Sequence, residues 1–168
     1  MNEDLISKIG IREEVPVKSF SIAAFICRKE NETGKYLILK RTSKYLKNSW
    51  QMVSGKLEKG ETAWLAALRE IKEETGIIPD RLYSSNRVEC FYEANQNCIN
   101  LVPIFIAFVE NQTKVTLSDS EHSEYKWITI EEAEQYLVFP NHIEVLKYIE
   151  ENFIKKKPNE FLQIKFKE

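Results

Sequence analysis

Three glutamates, Glu70, Glu73 and Glu74, crowd the end of the stretch SGKLEKGETAWLAALREIKEETGI that runs from Ser54 to Ile77. On a helix advancing about 100° per residue, Glu74 lies about 40° to one side of Glu70 and Glu73 about 60° to the other. All three then share one face. Like charges at i,i+4 cost roughly 0.2–0.5 kcal/mol per pair, which a wet surface tolerates. One reading is therefore a solvated acidic face, salt-bridged by Arg69 and Lys72. The other is a site for a hard cation. Mg²⁺ and Mn²⁺ take oxygen ligands, and Mg²⁺ typically combines one or two carboxylates with substrate phosphates and water. In this reading Ala63, Ala66 and Ala67, in the same sector, leave room for a polyphosphate. The glycine-bearing loop before the helix brings backbone carbonyls and amides toward metal and phosphate. Trp64, Leu68 and Ile71 gather on the neighbouring sector and face the core.

The elements that must position this face follow from pattern. A helix is expected from about Thr62 to Thr75, with Gly76 as its stop. SFSIAAFIC (Ser19–Cys27) and KYLILKR (Lys35–Arg41) read as two strands of a hairpin turned at NETG. SKYLKNSWQMVSGKLEKGE reads mostly as loop. RVECFYEA and INLVPIFIAFVE are two further strands joined by a polar loop at Asn95–Asn97. Pro103 puts the second at an edge or at a bulge. YKWITI (Tyr125–Ile130) is a short strand. EEAEQYL and HIEVLKYIEENF are helical in period, broken at Pro140. The tail KKKPNEFLQIKFKE reads as a terminal strand or as disordered. The mixed order implies an α/β domain with helices layered on both faces of a sheet, an α/β/α sandwich.

The chain has 168 residues, 43% hydrophobic and 30% charged, with a formal net charge of -2. That suffices for one domain with a sizeable core, and it lacks the basic excess that binding to polymer nucleic acid needs. Cys27, Cys90 and Cys98 show no zinc-like spacing and read as reduced thiols, which implies a cytoplasmic setting. Two histidines, His122 and His142, make a histidine-based zinc site improbable. The acidic N-terminal stretch is unlike a signal peptide, and no apolar run is long enough to span a bilayer.

Glycine, five residues, glutamate, seven residues, then Arg-Glu-aliphatic-x-Glu-Glu-x-Gly-aliphatic is the pattern of the Nudix box. Gly55, Glu61, Arg69, Glu70, Ile71, Glu73, Glu74, Gly76 and Ile77 fill it without a gap. Seven fixed residues at ordinary usages match by chance on the order of 10⁻⁸ per start position or less. The chain thus resembles the Nudix hydrolase superfamily over residues 18–154, between an N-terminal arm (1–17) and a C-terminal tail (155–168). SEHSEYKWITIEEA, CFYEANQNCINLVPIFIAFV and FPNHIEVLKYI, with a single Gly55 after Ser54, resemble the dATP pyrophosphohydrolase and dihydroneopterin triphosphate pyrophosphatase subgroup.

That resemblance implies a Nudix-type α/β/α sandwich and a Mg²⁺- or Mn²⁺-dependent hydrolase. It implies metal ligands at Glu70, Glu73 and Glu74, the Gly55 carbonyl, and Glu121 from outside the box. It implies a Glu61–Arg69 pair holding loop to helix, and a general base at Glu70 or Glu121. Arg41 matches a position that often grips phosphate, a task suited to a guanidinium. Lys56 and Lys18 are further substrate candidates. Trp50, Phe91 and Tyr92 are candidates for stacking on a base or pterin ring, against the plainer reading of core aromatics. His122 reads as a surface histidine, against the alternative that it orients Glu121, and His142 as a helix-end residue. The expected reaction converts a (deoxy)nucleoside triphosphate or dihydroneopterin triphosphate to monophosphate and pyrophosphate. Alternatives are an oxidised nucleotide, a dinucleoside polyphosphate, a nucleotide sugar, or a sensing domain without turnover. The partners implied are small molecules, without nucleic acid polymer or membrane, for a monomer or homodimer.

Overall fold

The computed structural model describes residues 14–44, 46–118 and 120–166. Among them nine strands form one mixed sheet. They are β1 (Val17–Lys18), β2 (Ser21–Glu30), β3 (Thr33–Arg41), β4 (Trp50–Gln51), β5 (Val53–Lys56), β6 (Arg81–Glu93), β7 (Cys98–Phe108), β8 (His122–Ile128) and β9 (Gln163–Ile164). The helices are α1 (Ala63–Thr75), α2 (Ala133–Tyr136) and α3 (Pro140–Ile149), which continues as a π-helical turn over Glu150–Ile154. Along the main path the order is β4-β3-β2-β7-β6-β9, with β1 on β7, β5 on β2 and β8 on β3. The β2–β7 and β1–β7 pairs are parallel and the rest antiparallel.

Alternation along β2 splits the core in two. Ile22, Ala24 and Ile26 face α1 together with Leu37, Leu39 and Ile71. Ala23, Phe25 and Cys27 face the opposite way, toward α3, with Leu146, Ile149 and Phe153. This is the layered arrangement expected when a sheet hides both faces under helices.

Several local expectations change. The stretch read as mostly loop also holds two short strands: Val53–Lys56 pairs with Ser21–Ala24, and Trp50–Gln51 with Leu39–Lys40. These segments are short and lie beside a glycine, so no alternating run marks them. β6 starts at Arg81, six residues before the expected strand, because the register shift between Ser84 and Val88 interrupts its alternation. Asn86 takes a positive φ of 58° inside that shift. Pro103 sits opposite Val88 beside it, so the bulge alternative holds and the edge alternative does not: β7 is paired on both sides. Most of the N-terminal arm, residues 1–13, lies outside the described residues. Its end is stitched to the sheet, with Val17 opposite Ile99 and Ile99 N–H donating to the Pro16 carbonyl at 2.9 Å. Within the tail, Gln163–Ile164 forms a short strand on β6. No helix among the described residues is long and apolar enough to cross a membrane.

Candidate active site

Helix α1 follows an extended Thr62 and stops at Gly76, whose φ of 69° is left-handed and whose N–H donates to the Lys72 carbonyl at 2.9 Å. Its buried face is Ala66, Ala67, Ile71, Glu74 and Thr75. The alanines therefore do not line a phosphate channel, as the wheel suggested. Ala66 and Ala67 are fully buried against the sheet; their small side chains let the helix approach it closely. Glu74 sits in the middle of this face, only 2% exposed. A carboxylate there is doubly disfavoured, by burial and by the negative end of the helix dipole.

The loop before the helix is clamped by Arg69. Its Nε and Nη2 donate to the two oxygens of Glu61, both at 3.0 Å, and Nη2 also donates to the Lys56 carbonyl at 2.9 Å. Glu61 in turn accepts from the Glu58 N–H at 3.0 Å. These bonds draw the Glu61 carboxyl below its usual range, Arg69 first. The remaining Nη1 of Arg69 holds Glu70 at 2.8 Å and Glu73 at 3.1 Å. Strand β5 brings Gly55 under Glu70. A Cβ at Gly55 would run into the Glu70 carboxyl group, so a larger residue there displaces the Glu70 side chain.

Glu121 comes from the other side. Thr116 N–H donates to the Thr75 carbonyl at 2.8 Å and Ser118 N–H to the Glu74 carbonyl at 3.2 Å, fastening this loop to the end of α1. Thr42 N–H then donates to the Glu121 carbonyl at 2.9 Å, fixing the loop to the end of β3. The next residue, His122, starts β8. It is not on the surface, as its sequence position suggested, but 2% exposed. Its Nε2 lies 3.0 Å from Glu74 Oε2. A carboxylate only accepts, so Nε2 donates, and Nδ1 is buried with no partner among the described residues. No sequence signal reveals this pairing, because the partners are far apart in the chain and meet only when the loop leading into β8 is fastened to the end of α1.

Glu74, Glu121 and His122 thus offer ligand atoms within 4.8 Å of one another. Glu70 lies near enough to be felt electrostatically by Glu74. Burial pushes the Glu74 carboxyl up, with Glu70 and Glu121 adding to the rise and His122 opposing it. Burial likewise raises Glu70, against the pull of Arg69. The residues fit a divalent cation. Convergent carboxylates disfavoured as anions by their own surroundings are what a bound positive charge stabilises. The Glu74–His122 bond fixes one of them, in the way supporting bonds orient metal ligands. Glu73 is more than half exposed and shares Arg69 Nη1 with Glu70.

Beside Gly55 opens a cavity of about 620 Å³. Arg41, Lys56, Phe91 and Tyr92 line it. Arg41 is held by Ser43 Oγ, with Nη2 at 2.8 Å. Two other sequence candidates fall elsewhere. Lys18 reaches Gln96 Oε1 at 3.4 Å. Trp50 packs edge-on against Tyr136 at 5.8 Å, with Lys126 over its ring. His142, a first-turn residue of α3, also lines the cavity.

A NUDIX domain family model matches residues 19–149, most of the chain. The chain belongs to the Nudix family. It is 31% identical to Nudix hydrolase 5 of Arabidopsis thaliana over 124 residues, 72% of this chain but only 38% of that protein. It is 33% identical over 102 residues to the asymmetrical bis(5'-nucleosyl)-tetraphosphatase of Caenorhabditis elegans, covering 60% of this chain and 72% of that one. A crystal structure of a C. elegans Ap4A hydrolase complex superposes with a TM-score of 0.65 at 25% identity, covering 77% of this chain and 93% of the other. The dihydroneopterin triphosphate pyrophosphohydrolase of E. coli shares the Nudix fold at a TM-score of 0.65 and 24% identity, covering 83% and 94%.

Proposed function

We propose that this Nudix domain is a Mg²⁺- or Mn²⁺-dependent pyrophosphohydrolase that converts a (deoxy)nucleoside triphosphate or dihydroneopterin triphosphate to monophosphate and pyrophosphate. The observation that carries the reading is the convergence of Glu74 and Glu121, with Glu70 beside them and packed on Gly55, a residue that with Arg41 and Lys56 lines the cavity. Glu70, Glu74 and Glu121, with the Gly55 carbonyl, would hold the cation. When bound, it supplies charge to the phosphate oxygens and acidifies a water. Glu73 would complete the ligand set as an exposed member; like Glu70 it is held by Arg69 Nη1.

The chain's own residues do the rest. Arg69 fixes the loop and the Glu70 carboxyl, so it positions without needing to touch substrate. Arg41 presents a guanidinium to the phosphate chain in the cavity. Glu70 and Glu121 are the two carboxylates suited to take the proton from the attacking water. His122 keeps Glu74 in one orientation.

The similarity to a bis(5'-nucleosyl)-tetraphosphatase favours a second reading, a dinucleoside polyphosphate as substrate. One assay separates the two. The chain is offered triphosphates and dinucleoside tetraphosphates with Mg²⁺ or EDTA in ¹⁸O-labelled water, and the products are identified. Pyrophosphate released from a triphosphate supports the first reading, and a nucleoside triphosphate released from the tetraphosphate supports the second. Tight binding without turnover under any divalent metal overturns both.

A further inference from the structure

On the α3 side of the sheet the cavity ends in a Glu89–His142 contact that the hydrolytic chemistry does not use. Glu89, on β6, lines this end and is only 9% exposed in its side chain. Its Oε1 lies 3.4 Å from His142 Nε2, and the His142 ring is 12% exposed. A carboxylate this buried needs hydrogen-bond donors on both oxygens, and one imidazole supplies a single N–H. The walls around it combine the apolar and aromatic side chains of Met52, Phe91, Val102 and Phe139 with the polar Gln51, Glu93 and Asn141. Phe91 and Phe139 remain more than a third exposed at its rim, although each is a large apolar ring. A cavity with aromatic rims and a largely buried carboxylate at one end suits a planar heteroaromatic ring read along its polar edge.

We infer that Glu89, oriented by His142, selects a ring whose edge carries two adjacent N–H donors, the 2-amino-4-oxo-pyrimidine edge shared by guanine and pterin. The chemistry of the edges decides this. Guanine presents N1–H beside its exocyclic amine, matching the two oxygens of a carboxylate. Adenine presents an acceptor nitrogen beside its amine, and uracil one N–H between two carbonyls. Either would set a lone pair against the anion. A site built around a buried hydrogen-bonding group rejects a ligand that leaves it unpaired far more strongly than it rejects a change of shape. The inference rests on the proposed function for its orientation: phosphates at Arg41 and Lys56 direct the ring toward Glu89.

The test is equilibrium binding of GTP, ITP and ATP by calorimetry, with Ca²⁺ replacing Mg²⁺, beside turnover of the same nucleotides with Mg²⁺. Inosine keeps N1–H and lacks the amine. The expected order is GTP, then ITP, then ATP, with GTP favoured over ATP by roughly 10- to 100-fold, the discrimination of one good bidentate pair. Glu89→Gln, which places a donor against donors, should reduce that ratio to within about threefold; a melting curve checks that the variant is folded. Competition between GTP and dihydroneopterin triphosphate then assigns the occupant as base or pterin. ATP bound by the unaltered chain within threefold of GTP, or a ratio preserved in Glu89→Gln, overturns the inference, as does failure to bind any of them. Preference without turnover leaves the ring assignment standing and removes the pyrophosphohydrolase reading; turnover without preference does the reverse.

Discussion

Replacing Glu74 by glutamine separates the two roles a buried carboxylate can have. The side chain is 2% exposed and faces Glu70 and Glu121, so its charge is opposed by burial and by like charges. Glutamine keeps its shape and can still accept from His122 Nε2, now without charge assistance. That loss is about 1 kcal/mol, the difference between hydrogen bonds to charged and to neutral groups. The carboxyl is nonetheless pushed up overall, so relief of desolvation and repulsion outweighs the lost assistance. The net gain in EDTA should be on the order of 1 kcal/mol, a rise of about 2–4 °C in melting temperature for a chain of this size. With a divalent cation the order reverses. A ligand at a hundred times its Kd adds about 2.7 kcal/mol, and each tenfold loss of affinity removes about 1.4 kcal/mol of it. Melting curves across a Mg²⁺ titration therefore cross: the variant starts higher and gains less. Turnover should fall on the order of 10²–10³-fold, as when one preorganised electrostatic group is removed. A variant that melts lower in EDTA, or that gains as much from Mg²⁺ as the unaltered chain, would refute the assignment of Glu74 to the cation.

The same carboxyl gives a pH signature in EDTA. Raised in the folded state above its ordinary 4.5, it favours folding while protonated and loses that contribution as pH climbs through its folded value. The melting gap between Glu74→Gln and the unaltered chain should be small below about pH 4.5 and widen toward neutrality; a gap independent of pH contradicts this. Gly55→Ala drives a methyl into the Glu70 carboxyl. It should cost about 1–3 kcal/mol and lower turnover, and unchanged melting together with unchanged rate would mean Glu70 is free to move. Glu121→Gln alters an exposed residue. Stability in EDTA should stay within about 0.5 kcal/mol while stabilisation by Mg²⁺ shrinks, and an undiminished metal response removes Glu121 from the ligand set. Arg41→Ala should raise KM more than it lowers kcat, and an unaltered KM takes Arg41 out of the phosphate path.

The chain by itself determined the helix, its stop at Gly76, the hairpin and the family, because each is carried by local spacing. A left-handed stop needs a glycine, a hairpin needs a turn residue, and three carboxylates at i, i+3 and i+4 share a helix face wherever the helix is placed. The Glu61–Arg69 pair was likewise implied by the box, and the structure forms it. Tertiary structure alone decided which glutamates differ. Glu73 and Glu74 are neighbours in sequence, yet one is mostly exposed on Arg69 and the other buried on His122. Docking of the helix on the sheet sets that, and it also turned Ala66 and Ala67 into packing surface. His122 and the Glu89–His142 pair were beyond reach for the same reason. Each joins residues from elements distant along the chain, and no local pattern encodes which sheet face, at which register, will bring two side chains within 3.5 Å.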